Sequence, residues 1–111
     1  TRETPAIVIC KSLLEEGAIL HIYDPKVSQA QIHKDLNCHT EQVRCETDPY
    51  HACNQTEAII ILTCWDIFKM LDYEKIYGLM EHPSFVFDGC HVVNKTSLKN
   101  IGYTVYTLGC E

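Results

Sequence analysis

The chain has 111 residues, of which 46% are hydrophobic and 22% are charged, and its formal net charge at pH 7 is −6. This size and composition are those of one globular domain with a core, and they exclude a disordered chain. The acidic balance argues against binding to a nucleic-acid backbone, because such proteins carry a basic patch or stripe. No apolar run approaches the ~20 residues of a membrane helix, so we expect neither nucleic acid nor membrane as a partner.

The cysteine content and the N-terminus bear on the cellular compartment. The chain holds seven cysteines, an odd number, and its first residues, Thr1–Pro5, lack the basic-then-apolar order of a signal peptide. We therefore expect a cytoplasmic protein with reduced thiols, and, since no starting Met is present, a piece of a longer chain. The nearest approach to a metal site is His33, Cys38, His39 and Cys45, whose spacing fits no standard zinc pattern, so no metal is expected.

The first half of the chain predicts two helices, a strand between them, and shorter elements after them. Thr4 and Pro5 are a good N-cap and first helical residue, and Gly17 is a left-handed helix end. The remaining predicted elements are a strand over 18–23, a helix over 28–37, a short strand at 43–45 and a helix over 49–53.

The second half of the chain predicts three strands separated by helices. The run 58–63 is apolar at nearly every position, as expected for a central parallel strand. The other predicted elements are a helix that begins at 65, a helix over 72–81, a strand over 84–87, a short helix over 97–100 and a strand over 103–107.

This alternation of helices and strands predicts an α/β fold. We expect a three-layer, Rossmann-like, doubly wound and mostly parallel sheet with helices on both faces. The chain begins with a helix, whereas such folds usually begin with a strand, so we expect the first strand to lie upstream of residue 1. A sheet without that strand would have an unpaired edge, which predicts a marginally stable or oligomerising fragment.

The carboxyl ends of the predicted strands are the candidate ligand-binding positions, because open α/β sheets bind ligands there. Asp88 and Gly89 follow the strand Phe85–Phe87, and a tight glycine turn at a strand end lets a nucleotide approach the backbone. The sequence contains neither G-x-G-x-x-G nor G-x-x-x-x-G-K-[ST], so a self-sufficient dinucleotide enzyme is not expected. Asp24 follows another strand, where a plain turn before Pro25 explains it equally well.

The two cysteines near these strand ends allow a catalytic interpretation and a structural one. Cys64 or Cys90 would need a basic neighbour that lowers its thiol pKa to act as a nucleophile. His91 is adjacent to Cys90 in sequence, but adjacent side chains seldom point at each other. A structural role is favoured for the segment around Cys64, with Asp66 capping a helix and Trp65 packing over the end of the sheet, and the alternative is that this loop lines a cleft.

Several segments, in order along nearly the whole chain, resemble one family. They are Thr1–Ile7, Leu13–Ala18, His21–Val27, Asp48–Tyr50 with Ala52–Cys53, Thr63–Phe68, Leu71–Glu74, Phe85–Gly89 and Ile101–Tyr103. They resemble the C-terminal, UDP-binding domain of the UDP-glucose/GDP-mannose dehydrogenase family, in a spelling most like the animal UDP-glucose 6-dehydrogenases. The resemblance implies that residues 1–111 are a part of that domain.

The family's activity is what the resemblance implies for the full-length protein. Such an enzyme oxidises UDP-glucose to UDP-glucuronate with two NAD. An N-terminal Rossmann domain binds NAD, a central helical region carries the catalytic cysteine and forms the dimer, and the C-terminal domain helps to bind UDP. The resemblance thus implies a homo-oligomer when full length, a UDP-sugar substrate, upstream domains as partners, and no catalytic residue in this chain.

Parts of two binding sites of the family fall on this chain. Arg2 matches the arginine that reaches the NAD cofactor across the domain cleft. Asp88, Gly89 and Cys90 match the substrate-binding loop, but Cys90 stands where the family has the first of two arginines, whose planar fork recognises phosphate and sugar oxygens. A thiol cannot make that charge-assisted bond, and its loss costs about 2–4 kcal/mol. Cys64 also departs from the family, which usually has Glu there.

The resemblance leaves two alternatives open. The chain is a UDP-sugar-binding domain, or it is a diverged, non-catalytic interaction module whose UDP site has decayed. A related dehydrogenase acting on another nucleotide sugar is a weaker third reading, because the absent central region reads the sugar.

Overall fold

The computed structural model describes residues 5–24, 31–32 and 42–107. The chain divides into two compact units, Thr1–Ala52 and Cys53–Glu111. Both units combine helices with parallel strands, which confirms the predicted α/β, Rossmann-like class. Most of the helix predicted over 28–37 lies outside the described residues, but Gln31 and Ile32 are helical.

The first unit combines helices with a pair of parallel strands. Its elements are α1 (Pro5–Glu15), β1 (Leu20–Ile22), β2 (Val43–Cys45) and most of α2 (Pro49–Cys53). Strands β1 and β2 pair in parallel, with Leu20 opposite Val43. A small core of Leu14, Ile32 and Val43 lies beneath them.

Helix α1 ends as the sequence predicts. Gly17 has a φ of +92°, a left-handed conformation that favours glycine because it has no Cβ. The Ala18 amide donates to the Leu13 carbonyl at 3.0 Å, and the Gly17 amide donates to the Leu14 carbonyl at the same distance. These bonds satisfy carbonyls that the end of the helix leaves without a partner.

The second unit contains a three-stranded parallel sheet with order β3-β4-β5. Its elements are β3 (Ala58–Ile61), a 3₁₀ helix (Asp66–Lys69), α3 (Tyr73–Leu79), β4 (Phe85–Asp88), α4 (Lys95–Ile101) and β5 (Thr104–Thr107). The side chains of Asp72 and Asn94 accept hydrogen bonds from the amides of Lys75 and Ser97 and so cap α3 and α4. The predicted start of a helix at Asp72–Tyr73 is therefore confirmed.

The sheet has one buried face. Ile61, Val86 and Val105, one from each strand, are buried, and the buried set also includes Ile76 of α3 and Leu98 of α4. Strand β4 lies between β3 and β5. Strand β3 was expected to be central, but within the described sheet it lies at the edge, and Ala58 and Ile60 are exposed. No helix in the described ranges is long and apolar enough to cross a membrane.

Candidate functional site

The candidate site is formed by two loops, residues 62–65 after β3 and residues 89–93 after β4, called here the strand-end loops. The two strands pair in parallel with Ile61 opposite Asp88, so the two loops that follow them leave the sheet side by side. The Gly89 amide donates to the Ile61 carbonyl at 2.9 Å. The predicted Asp-Gly turn therefore lies at a strand end, as the sequence indicates.

Gly89 is required by the closeness of the two loops. A Cβ at this position would lie 2.8 Å from the Ile61 carbonyl oxygen, a distance at which backbone must move. The close neighbour is a backbone atom, which cannot move aside as the end of a flexible side chain could. Glycine thus allows the start of the 89–93 loop to lie directly against the end of β3.

Asp88 shapes the same loop from inside the sheet. Its side chain is 0% exposed, on the face that also buries Val86. One carboxylate oxygen accepts from the Cys90 amide at 2.9 Å and the other accepts from the Val93 amide at 3.0 Å. A buried carboxylate is stable only with such partners, and these two bonds fold the loop back over the strand end. The carboxylate thus organises the loop rather than presenting itself to solvent.

A disulfide joins the two strand-end loops, between Cys64 and Cys90. The prediction of reduced thiols is therefore wrong for these two cysteines. They are 26 residues apart in sequence, but the parallel pairing of β3 and β4 brings their Cα atoms to 5.4 Å, within the range that a disulfide spans. Sequence spacing alone gave no sign of this pairing. The catalytic interpretation of either thiol does not apply while both sulfurs are in the disulfide.

The neighbours of the disulfide complete the turn. His91 follows Cys90 with a φ of +57°, a left-handed conformation that is uncommon for residues other than glycine. Cys64 is exposed, Cys90 is half-buried and His91 is exposed. The disulfide therefore lies at the surface of the second unit, outside the buried core.

A cavity of about 490 Å³ opens beside the far end of the 89–93 loop. It is lined by Val92, Val93 and Asn94 after β4, by Ser97 of α4, and by Lys69 and Asp72 near the 3₁₀ helix. This cavity was not predicted, because its walls come from three separate segments of the sequence. The Asn94 helix cap after the Asp-Gly turn was the available signal, since it places a polar side chain close to the predicted loop.

The other predicted site residues lie elsewhere. Asp24 follows β1 in the first unit and is half-buried. Arg2, the position that the resemblance assigns to the cofactor, lies outside the described residues, as do His33, Cys38 and His39. In the ranges that the structure does describe, no group of three or more His, Cys, Asp or Glu side chains could hold a metal ion.

The fold and the strand-end loops define a Rossmann-like α/β domain of the kind that binds ligands at its strand ends. Residues 1–95 match the profile of the UDP-glucose/GDP-mannose dehydrogenase family, UDP binding domain. The chain belongs to this family, which confirms the resemblance.

Full-length relatives give the same assignment. The chain is 42% identical over 126 residues to UDP-glucose 6-dehydrogenase 2 of Arabidopsis thaliana, covering 98% of this chain and 26% of that protein. It is 43% identical over 118 residues to UDP-glucose 6-dehydrogenase of Drosophila melanogaster, covering 98% of this chain and 25% of that protein. The chain thus spans about a quarter of the length of these relatives.

Proposed function

We propose that this chain is the UDP-binding part of a UDP-glucose 6-dehydrogenase, and that it holds the UDP moiety of a UDP-sugar at the strand-end loops. The observation that carries the proposal is the Asp88–Gly89–Cys90 turn at the adjoining ends of two parallel strands, in a chain whose family match is a UDP-binding domain. Residues 1–111 would then be a partial C-terminal domain, and Asp88, Gly89 and Cys90 would be its substrate loop.

The geometry around the loop supports a nucleotide-sized ligand. The neighbouring cavity of about 490 Å³ falls within the usual range for small-molecule sites. Its wall combines the neutral polar groups of Asn94 and Ser97 with the positive charge of Lys69 and the negative charges of Asp72 and Glu74. Hydrogen bonds from the Cys90 and Val93 amides to the Asp88 carboxylate hold the loop in one shape before any ligand arrives, which reduces the entropy lost on binding.

Cys90 in place of the family arginine should lower the affinity for UDP. The family arginine would donate charge-assisted hydrogen bonds to the ligand, and Cys90 cannot. A loss of about 2–4 kcal/mol corresponds to binding that is roughly 30-fold to several hundredfold weaker than with arginine. We therefore expect UDP to bind this chain weakly.

Calorimetric titration of the whole chain tests the proposal. UDP should bind saturably with a Kd below about 1 mM, or about −4 kcal/mol, and GDP under the same conditions should bind more weakly. GDP is the matched control because it carries the same diphosphate on a different base. No heat of binding for UDP at millimolar concentration would contradict the proposal.

The activity of the whole protein is a wider proposal. With its upstream domains we expect oxidation of UDP-glucose to UDP-glucuronate with NAD, in a homo-oligomeric, cytoplasmic protein. Arg2 is the residue of this chain that would reach NAD, and this role rests on the resemblance. The catalytic cysteine of the family lies in the central region, so the chain alone should form no NADH when mixed with UDP-glucose and NAD. Formation of NADH would overturn that expectation.

A second candidate function is a non-catalytic interaction module with a decayed UDP site. The disulfide at Cys90 favours it, because the residue at the arginine position is engaged with Cys64. Such a module would persist by docking on an intact subunit. The same titration separates the two candidates, since saturable UDP binding would exclude decay and silence at millimolar UDP would support it.

A further inference from the structure

The Cys64–Cys90 disulfide differs in its setting from the other described cysteines. It joins two surface loops, and Cys64 is exposed. Cys10, Cys45 and Cys53 are half-buried and form no disulfide. Among the described cysteines, the disulfide therefore offers a dissolved thiol the most direct approach.

The two cysteines are also the two positions where the site departs from its family. The resemblance gives glutamate at 64 and arginine at 90, and neither residue type has sulfur chemistry. The structure brings both departures together, with Cα atoms 5.4 Å apart. A pair of changes that meet in space indicates one new function shared by both residues.

We propose that Cys64 and Cys90 form a reversible thiol–disulfide exchange site at the strand-end loops, and that its reactants are low-molecular-weight thiols and disulfides of the glutathione type. Closing the disulfide ties the 89–93 loop to the 62–65 loop. Opening it leaves two thiols at the place where the family binds its nucleotide sugar. The exchange requires only the cysteine pair, so it does not depend on the proposed function.

The exchange balances with glutathione as the electron donor. A glutathione thiolate attacks the exposed Cys64 sulfur, a new S–S bond forms there, and the Cys90 sulfur leaves as a thiolate that takes up a proton. A second glutathione thiolate attacks the glutathione sulfur of this mixed disulfide and releases the Cys64 thiolate. Two glutathione thiols are oxidised to one glutathione disulfide, and the protein disulfide gains the two electrons. Oxidation by glutathione disulfide is the reverse.

The loop has other bonds that hold it when the disulfide opens. Asp88 keeps its hydrogen bonds to the amides of Cys90 and Val93, and the Gly89 amide keeps its bond to the Ile61 carbonyl. None of these bonds involves a sulfur atom. The two sulfurs should therefore stay near each other in the reduced protein, which is the condition for closing the disulfide again.

Two thiols of the same chain serve as internal controls. Burial raises the pKa of the Cys10 thiol, and burial followed by the charge of Glu46 raises the pKa of the Cys45 thiol. Both keep less of the reactive thiolate at neutral pH than an ordinary cysteine does. We expect them to exchange much more slowly than the pair.

The test is redox titration of the whole chain. The protein is equilibrated at neutral pH in buffers that range from reduced glutathione alone to glutathione disulfide alone, quenched in acid and alkylated. Peptide mass spectrometry then reads each cysteine separately. Cys64 and Cys90 should pass together from almost wholly disulfide to almost wholly thiol, while circular dichroism stays that of the folded chain. In samples quenched at successive times before equilibrium, Cys10 should react with glutathione disulfide much more slowly than Cys64.

Two variants identify the attacked sulfur. With glutathione disulfide, Cys90→Ser should gain one glutathione on Cys64, and Cys64→Ser should gain it on Cys90 several times more slowly. The proposal is overturned if the folded wild-type pair stays oxidised in excess reduced glutathione. It is also overturned if the pair does not close in excess glutathione disulfide, or if Cys10 reacts as readily as Cys64.

Discussion

Asp88 decides the shape of the candidate site, because its two carboxylate oxygens accept from two different loop amides. Asparagine has the same shape but a single acceptor oxygen, so Asp88→Asn leaves one amide facing an NH₂ group. We expect the free energy of unfolding to fall by about 2 kcal/mol, in urea unfolding at neutral pH.

Asp66→Asn is the matched control for that change. Its side chain is 92% exposed and lies 3.7 Å from the Lys69 ammonium, an ion pair that contributes little at the surface. The control should change stability by no more than about 0.5 kcal/mol. Equal effects of the two substitutions would refute the role of Asp88 in organising the loop.

Replacing glycine by alanine should have opposite effects on stability at positions 89 and 78. Gly89→Ala places a Cβ 2.8 Å from the Ile61 carbonyl oxygen, whereas Gly78, in α3, has no such neighbour within 4 Å. Gly89→Ala should therefore destabilise the chain by about 1–3 kcal/mol. Gly78→Ala should stabilise it by about 0.5–1 kcal/mol, because alanine favours a helix. Thermal unfolding of both variants tests this, and a harmless Gly89→Ala would contradict the close approach of the loops.

Helix α3 and strand β5 meet through Tyr103, which is 3% exposed. Its hydroxyl donates to the Tyr73 carbonyl at 2.7 Å, and its ring packs edge-on against the rings of Tyr73 and Tyr77. Burial, followed by the nearby Cys53 thiol, raises the pKa of the Tyr103 phenol. The folded state therefore favours the neutral phenol.

This raised pKa predicts a loss of stability at high pH. In the unfolded chain the phenol ionises near pH 10, so the stabilisation is complete below about pH 10 and is lost as the pH rises above it. Urea unfolding from about pH 8 to about pH 11 should show a steeper loss for the wild type than for Tyr103→Phe. Parallel curves for the two proteins would show that Tyr103 is not the cause.

The sequence predicted those elements whose signals are local. Proline at the start of α1 and Gly17 at its end marked that helix, and Asp72 marked the start of α3. The run 58–63 predicted a central strand, but among the described residues β3 lies at the edge of its sheet with Ala58 and Ile60 exposed, because an apolar run does not determine which strands pair. At the site, Asp88–Gly89 was predicted from a strand followed by a turn. The Cys64–Cys90 disulfide was not, since it depends on which strands pair.

The chain as a whole is about a quarter of its relatives' length, and its two units each carry one parallel sheet. The family assignment follows from the matched profile and from similarity along almost the whole chain. UDP binding at the strand-end loops is a proposal, because the resemblance places Cys90 at the position of the family arginine. This substitution is the point on which the functional account depends.

Calorimetric titration of variants that restore the family residues tests most directly whether UDP binds at the strand-end loops. The double variant C64E/C90R places glutamate and arginine at the two departing positions, and C64S/C90S removes the disulfide without adding charge. Calorimetry with UDP should give binding about 30-fold or more tighter for C64E/C90R than for C64S/C90S, the equivalent of about 2 kcal/mol. Equal affinities, or no binding by either folded variant, would contradict the assignment of the UDP site to these loops.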